Sequence, residues 1–267
     1  MEILKKKMAP LSNDMWKEIK DQAKSVLGTS RTIRKFADID GPFGSDFAAV
    51  STGRLKVPRQ KWKTGTNYGI REVLPLVEIR IPFELDLWEL ENIERGAKDV
   101  ELDNLDEALK SVVKLEENII YTGLNNAGIK GLEESSKYPV ENLPDNLSDI
   151  LKYVGALINR LQQNGVEGPY SLVLEEKYWL ELINLTDGYP IIQQLKDLLE
   201  GQIIVNNNFD KSFLLSKRGG DYELTRVQDT SIGYDSHDDR KIKLYLTESF
   251  TFRVLSPEAV VVLDKKK

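Results

Sequence analysis

The sequence predicts an α+β fold for a subunit that neighbouring chains complete, and three patterns support this interpretation. Apolar residues alternate over 77–87 and over 242–254, which predicts two long strands. At about 3.3 Å per residue the second strand would reach ~43 Å, roughly twice the usual strand length. Apolar residues at helical spacing predict a long helix over 105–124, and a compact alternation of short helices and strands follows it.

A short helix and an extended arm precede the first long strand. Apolar residues recur at helical spacing after Ser12 and Asn13, and Gly28 is expected to end this helix. Residues 54–69 are basic and are interrupted by proline and glycine, which predicts an extended hairpin or arm. The arm and the N-terminal helix have few apolar partners of their own, so we expect other subunits to contact them.

The first long strand and the long helix carry two local signals. Pro82 has no backbone N–H, so the 77–87 strand should lie at a sheet edge or contain a bulge. The stretch 104–107, Asn-Leu-Asp-Glu, resembles a capping box and predicts the start of the helix there.

The second half of the chain returns to β-structure after the α/β region. The stretch 217–221 has the composition of a hairpin turn. Residues 228–244 contain His237, the chain's only histidine, with Asp235, Asp238 and Asp239 beside it. This cluster is either a metal or acid/base centre or the acidic bend between two strands, and its turn-forming composition favours the bend.

Composition excludes several classes of protein. The chain has 267 residues, no cysteine and a net charge of −6, so disulfides and thiolate chemistry are excluded and no basic footprint for nucleic acid is present. No apolar run is long enough to span a membrane, and no apolar segment follows the basic N-terminus, so a cytosolic protein is the default expectation. No common catalytic or nucleotide-binding motif occurs.

Three pairs of carboxylates and one tryptophan remain as candidate functional residues. The pairs Glu89/Glu91, Glu116/Glu117 and Glu133/Glu134 are interpreted as solvated helix faces, although a hydrolase that uses carboxylates alone remains an alternative. Trp88 follows the 77–87 strand, where a large aromatic usually packs in a core or interface and less often stacks on a ligand.

Several segments together resemble one family, the encapsulins. They are MAPLS before the Trp16 helix, RKFADIDGPFG, REVLPLVEIR, FELDLWELENIERG, GIKGL, GVEGPYSLVL, SKRGGDYEL, QDTSIGY and LYLTESFTFRVLSPEAVVVL. Encapsulins are shell proteins of nanocompartments and have the tailed-phage (Hong Kong 97-type) major capsid fold. The resemblance covers nearly the whole chain in the family's order.

The resemblance implies a division into domains. Residues 1–47 would form the N-terminal helix and the start of the peripheral domain, and 48–72 the extended loop. Residues 73–135 and 214–256 would complete the peripheral domain, while 136–213 and 257–267 would form the axial domain.

The resemblance also implies a function without catalysis. About 60 copies would assemble into a closed icosahedral shell in the cytoplasm, with no membrane or nucleic acid as partner. The shell would enclose a ferritin-like iron oxidase or a dye-decolorizing peroxidase, with roles in iron storage or oxidative stress. A tailed-phage capsid protein is the near alternative, but phage chains often carry a long segment before the fold, whereas this helix begins by Asn13.

Family positions supply candidate sites. A cargo peptide of small aliphatic and basic residues would bind apolar Trp16, Ile19, Leu27 and Ile232 and polar Arg34, Asp38, Asp229 and Ser231. The pore loop would be Asn184, Leu185, Thr186, Asp187, Gly188 and Tyr189, where a ring of Asp187 would favour cations. No cofactor or metal is required, although flavin could stack on Trp88.

Overall fold

The computed structural model describes residues 3–58, 67–185 and 190–265, which contain seven α-helices. Ser12 caps the first helix by accepting a hydrogen bond from the Met15 N–H at 3.2 Å. The helices are α1 (Asn13–Ser30), α2 (Leu87–Glu94), α3 (Asp103–Thr122), α4 (Leu132–Ser135), α5 (Ile150–Gln163), α6 (Glu176–Ile183) and α7 (Ile191–Leu199). None of the helices in these described ranges is long and apolar enough to cross a lipid bilayer.

A four-stranded sheet contains both long strands that the sequence predicts. Its members are β1 (Asp38–Asp40), β4 (Val77–Asp86), β9 (Tyr222–His237) and β10 (Lys241–Val254), in the order β1-β9-β10-β4. The central β10 is antiparallel to both neighbours, and β1 is parallel to β9. Pro82 lies in the edge strand β4, as its missing N–H predicts, so the prediction of an edge position is confirmed.

A second sheet of the molecule has five strands. It consists of β5 (Glu141–Asn142), β6 (Tyr170–Glu175), β7 (Ile203–Asn206), β8 (Ser212–Ser216) and β11 (Val260–Asp264), in the order β5-β11-β8-β6-β7. Helices α6 and α7 pack on its strands, and α5 packs on α7. Residues on both faces of β6, β8 and β11 are therefore buried, which explains their continuous apolar character.

Two further strands form a separate ribbon, which we call the arm. The arm comprises residues 49–58 and 67–75 and contains β2 (Ala49–Lys56) and β3 (Ile70–Pro75), which pair antiparallel. These strands contact each other, and no other element of the described chain contacts them at more than isolated residue pairs. Residues 59–66 of the expected extended loop lie outside the described residues.

One apolar core includes residues of α1, α3 and both sheets. Helix α3 contacts α1, β4 and β10, and its residues Leu105, Leu109 and Val112 are completely buried. The long amphipathic helix predicted over 105–124 thus exists, as α3, and packs between α1 and the four-stranded sheet.

Three local predictions need correction. Helix α3 begins at Asp103 with Leu102 at its N-cap, so Asn104 lies within the first turn and forms no capping box; its amide donates to the Glu84 carbonyl at 2.9 Å. The stretch 217–221 is not a hairpin turn, because β8 and β9 belong to different sheets. Helix α1 continues past Gly28 to Ser30. The domain division remains a prediction, and β8 (Ser212–Ser216) lies across its boundary between 213 and 214.

The histidine cluster is the bend between two strands, as its composition predicts. His237 ends β9 and is paired with Ile242 of β10, and its Nδ1 lies 2.6 Å from the Tyr234 hydroxyl. The Asp238 carboxylate accepts the backbone N–H groups of Arg240 and Lys241 at 2.8 and 2.7 Å. No group of His, Asp and Glu in the described part of the chain has the arrangement of a metal site.

Candidate functional site: a groove between α1 and β9

A groove of about 660 Å³ lies between α1 and the β9–β10 face, and we call it the α1 groove. Its apolar lining consists of Ala23, Leu27, Ile232 and Leu246. Its other lining residues are Lys6, Lys20, Lys24, Gly28, Arg31, Arg34, Lys35, Asp229, Thr230 and Ser231. The groove therefore combines a small apolar surface with many charged groups.

Residues on one face of helix α1 form one wall of the groove. Positions 20, 23, 24, 27 and 28 of α1 follow the spacing i, i+3, i+4, i+7 and i+8 and share one face of the helix. The N-terminal segment extends this wall with Lys6, because it lies against β9 and β10. The Tyr234 N–H donates to the Leu4 carbonyl at 2.9 Å, and the Tyr245 hydroxyl donates to the Ile3 carbonyl at 3.0 Å.

A β-bulge in β9 positions the residues of the opposite wall. Ser231 pairs with Thr247 and Gln228 pairs with Ser249, so Asp229 and Thr230 together face the single residue Glu248. A bulge of this kind redirects side chains out of the regular pleat. The Asp229 carboxylate accepts the N–H of Thr230 at 2.9 Å, which holds it in place.

Buried ion pairs lie behind the groove. The Arg31 Nε is 2.7 Å from Oε2 of Glu116, and an Nη atom of Arg31 is 2.5 Å from Oε2 of Glu248. Both glutamate side chains are 0% exposed. The Thr230 hydroxyl donates to Glu248 at 2.8 Å. Carboxylates of this kind are stable inside a protein only when such partners are present.

Asp229 is already paired within the chain. Arg34 donates to it at 2.8 Å, and Arg226 donates to its other oxygen at 2.6 Å. Burial acts to raise the pKa of Asp229, but the hydrogen bond and charge of Arg34 and the charge of Arg226 outweigh it and lower the pKa to about 2. Asp229 is therefore ionised and neutralised at physiological pH.

Glu116 differs from Asp229 in its protonation. Burial, together with the nearby charge of Glu248, raises the pKa of Glu116 to about 7, although Arg31 and Arg34 oppose the shift. Neither Glu116 oxygen accepts a well-formed hydrogen bond from the described residues. The neighbouring Glu117 does accept one, from the Asn208 amide at 2.8 Å.

The interpretation of Glu116 and Glu117 as a solvated helix face is wrong, because both side chains are completely buried. The spacing of apolar residues in the sequence already indicated that Glu116 is buried. Glu116 lies four residues after Val112 and four before Ile120, which places it on the apolar face of α3.

The structure brings together five of the eight residues expected to contact a cargo peptide. Those that line the α1 groove are Leu27, Arg34, Asp229, Ser231 and Ile232. Ile19 does not line the groove, because its side chain is completely buried in the core, and its contact with a cargo peptide stays a prediction. Trp16 is also buried, with the Nζ atoms of Lys6 and Lys20 each 6.0 Å from its ring.

Asp38 lies outside the groove as well. Its carboxylate accepts the N–H of Gly220 in the crossover between the two sheets. The sequence reasoning also missed the cations that line the groove, Lys6, Lys20, Lys24, Arg31 and Lys35. Their helical spacing on α1 was a usable signal for the two lysines at 20 and 24.

Trp88 is 70% exposed, so within this chain it is not a core residue. It borders a cavity of about 440 Å³ whose charged lining is Asp86, Glu89, Glu101, Asp103 and Arg95. The exposed ring could stack on a flat ligand, but four carboxylates and one arginine do not suit the phosphate of a flavin nucleotide. Flavin stacking on Trp88 stays a prediction that these charges do not favour.

The expected pore loop is described only at its start. The Asn184 amide donates to the Leu180 carbonyl at 2.8 Å and closes the end of α6, and Leu185 packs partly buried against the core. Thr186, Asp187, Gly188 and Tyr189 lie outside the described residues.

Comparison of the chain with solved structures identifies its fold. It is similar to a virus-like particle from Pyrococcus furiosus, with a TM-score of 0.65 and 16% identity, over 93% of this chain and 99% of that one. It is also similar to the capsid of Myoviridae phage XM1, with a TM-score of 0.56 and 12% identity, over 85% and 89% of the two chains. At such low identities these likenesses establish the fold alone, and the predicted α+β capsid fold is confirmed.

Comparison with sequences identifies the family. Residues 1–251 match the Linocin_M18 family profile, described as an encapsulating protein for peroxidase. The chain is 38% identical to the type 1 encapsulin shell protein of Rhodospirillum rubrum, over 98% of this chain and 96% of that protein. It is 35% identical to the corresponding shell protein of Mycobacterium tuberculosis, over 99% and 100% of the two chains. The chain therefore belongs to the encapsulin family.

Proposed function

We propose that this protein is the self-assembling shell subunit of an encapsulin nanocompartment in the cytoplasm. About 60 copies would form a closed icosahedral shell, because identical heterologous contacts around closed axes generate a finite particle. Relatives that match along their whole length are named shell proteins, which supports a structural role without catalysis. Small ions and substrates would pass through pores to which 184–189 contribute.

The exposed apolar surface of the arm is the observation that most supports this proposal. Its apolar residues Leu55, Val57, Ile70 and Val73 are each more than half exposed. An exposed ribbon of apolar residues with little contact to its own chain is costly in water unless another chain covers it. Arms that interlock between neighbours would bury this surface and hold the shell together.

The α1 groove is the proposed docking site for cargo. A ferritin-like iron oxidase or a dye-decolorizing peroxidase would place a C-terminal targeting peptide there, and the family description supports the peroxidase. A short peptide contacts few residues and binds weakly by itself. Many identical grooves on one shell would nevertheless retain an oligomeric cargo through multivalency.

Electron microscopy of the purified protein, combined with analysis of its contents, tests the shell proposal. We expect uniform hollow particles that contain a second protein and no nucleic acid. Packaged DNA would instead identify a phage capsid. Small particles with catalytic turnover would favour the carboxylate hydrolase.

Gly28→Leu tests the groove as the cargo site. A Cβ at Gly28 would meet no atom within 4 Å, and glycine is unfavourable within a helix, so the variant should fold and assemble. Its side chain would enter the groove and should lower cargo loading by about tenfold or more, since overpacking typically costs about 1–3 kcal/mol.

Ser25→Leu is the matched control, because Ser25 is exposed on α1 and does not line the groove. It should load cargo normally. Equal loading of the Gly28→Leu and control shells would contradict the assignment of the groove.

A further inference from the structure

The segment between α1 and β1 is tied to other parts of the chain by charged side chains. We call residues 31–34 the clasp. In it, the Nε atom of Arg31 lies 2.7 Å from Oε2 of Glu116 in α3, and Arg34 donates a hydrogen bond to Oε1 of Glu248 in β10 at 3.1 Å. The clasp therefore joins a helix to the four-stranded sheet through two carboxylates that are completely buried.

A second set of contacts links the clasp to the chain that follows β7. The Thr32 N–H donates to Oε1 of Glu117, and the Thr32 hydroxyl lies 2.6 Å from the hydroxyl of Tyr121. The other oxygen of Glu117 accepts the Asn208 amide at 2.8 Å. The clasp is thus held by consecutive carboxylates of α3, one of which also holds the chain after a strand of the second sheet.

The charges around the clasp do not balance when all of them are ionised. Within the described part of the chain, the cluster consists of four carboxylates and three guanidinium groups: Glu116, Glu117, Asp229, Glu248, Arg31, Arg34 and Arg226. One negative charge would therefore be left without a counter-ion in the cluster, and uncompensated charge is costly in a protein interior. A single bound proton removes this excess.

Glu116 is the carboxylate of the cluster whose negative charge is least stabilised. Glu117 accepts two N–H groups, Glu248 accepts hydrogen bonds from both arginines of the clasp, and Asp229 accepts hydrogen bonds from two arginines. Neither oxygen of Glu116 accepts a well-formed hydrogen bond from the described residues. Its charged neighbours are the two arginines of the clasp, Glu248 of β10 and Glu117 of its own helix. A proton in the cluster therefore resides on Glu116.

We propose that the clasp opens and closes with the protonation of Glu116. With the proton bound, the cluster is neutral and the clasp packs against α3. After the proton leaves, local opening lets water reach the Glu116 carboxylate and releases Thr32 from Glu117. The end of α1 and the chain after β7 then loosen together, while the rest of the fold stays intact. This device lies within one chain and goes beyond the assembly of a shell, so it can be tested whether or not shells form.

The direction of the pH dependence follows from the state that binds the proton more tightly. Burial, together with the charge of Glu248, raises the pKa of Glu116 to about 7 in the closed clasp, whereas opening returns the pKa to its ordinary value of 4.5. The closed clasp therefore gains stability that is complete below about pH 4.5 and is lost as the pH rises through about 7. Opening should become more frequent from acid to alkaline pH.

Amide hydrogen exchange of the purified protein, followed by mass spectrometry, tests the proposal. After correction for the intrinsic effect of pH on exchange, peptides that cover 31–36 should show an opening equilibrium that rises roughly a hundredfold from about pH 5 to about pH 8. At every pH they should exchange at least about tenfold faster than peptides that cover β6, since local opening costs less than unfolding of the whole chain. An opening of 31–36 that is independent of pH would overturn the proposal, and so would equal exchange in the two regions.

Two matched variants identify the group that titrates. Glu116→Gln keeps the size of the side chain and cannot titrate, so its clasp should open equally often at every pH. Glu107→Gln removes a carboxylate from the exposed face of the same helix and should keep the wild-type dependence. Equal pH dependence of 31–36 in the two variants would contradict the role of Glu116.

A second measurement needs no variant, so it decides the matter if Glu116→Gln fails to fold. The infrared difference spectrum of the wild-type protein should contain the band of a buried protonated carboxyl group, which disappears with a midpoint near pH 7. The opening of 31–36 should rise up to that midpoint and level off above it. Absence of the carboxyl band, or an opening that keeps rising well above its midpoint, would overturn the proposal.

Discussion

The ion pairs behind the α1 groove and the arm differ in where their side chains find partners. Arg31 meets Glu116 and Glu248 inside one chain, and all three are buried. In the arm, Leu55 and Ile70 are 58% and 57% exposed, and the strands that carry them contact little besides each other. We therefore expect the chain to fold by itself and its arm to be covered only on assembly. Substitutions in the first region should change stability, and those in the second should change assembly.

The largest expected effect is loss of assembly in the double variant Leu55→Asp with Ile70→Asp. Carboxylates on the arm cannot be buried against a neighbour without a large desolvation penalty. Particles should disappear in sedimentation velocity, while the circular dichroism of the subunit stays the same.

The conservative pair Leu55→Met with Ile70→Val keeps the arm apolar and should keep assembly. Loss of helical and β-sheet signal in the aspartate variant would mean that the arm stabilises the subunit itself, which would remove the distinction between the two regions.

Arg31→Ala should have the largest effect on stability. It leaves Glu116 and Glu248 buried without their main cation, which typically costs about 3–5 kcal/mol. Urea unfolding in the aspartate-arm background would measure the free energy of unfolding of the separate subunit. Lys24→Ala, at an exposed lysine of the groove, should stay within about 0.5 kcal/mol of its parent. Equal losses for the two variants would show that burial is not the deciding factor.

Glu116 should make stability depend on pH. Its pKa rises from 4.5 to about 7 on folding, so the folded state binds the proton more strongly than the unfolded state. The resulting stabilisation, up to about 3 kcal/mol, is complete below the unfolded pKa and is lost as pH rises through about 7.

Glu116→Gln cannot titrate and should flatten this dependence between about pH 5 and about pH 8. Urea unfolding across that range in the aspartate-arm background provides the measurement. If the free energy of unfolding changes with pH equally in the variant and its parent, a group other than Glu116 causes the pH dependence.

Apart from the control Lys24→Ala, the smallest expected effect comes from Ser12→Ala. Ser12 accepts the Met15 N–H at the start of α1, and loss of such a cap typically costs about 1 kcal/mol. Thermal unfolding of the shells should shift slightly while assembly continues. An assembly defect would link α1 to contacts between subunits.

The sequence was sufficient where a signal is local. The alternation along β4 and β10 and the helical spacing in α3 predict these elements because each pattern depends only on nearby residues. Pro82 reveals its edge position for the same reason, since its missing N–H allows few other places in a sheet.

The sequence was insufficient where a distant partner decides the structure. Asn104 does not cap α3 because the helix already begins at Asp103, and its amide instead donates to the distant Glu84 carbonyl. The stretch 217–221 joins two sheets, and turn composition carries no information on which strands pair. Arg31 and Glu248 are 217 positions apart, so no local pattern in the sequence predicts that they form an ion pair.

If the exposed apolar arm makes this chain a shell subunit, assembly should depend on it, and sedimentation velocity of wild-type protein beside the aspartate-arm variant measures this dependence. We expect one uniform species of about 60 copies for the wild type. For the variant we expect a folded subunit near 30.4 kDa. Wild-type protein that sediments as a monomer, or variant protein that still forms full-sized particles, would contradict a role of the arm in assembly.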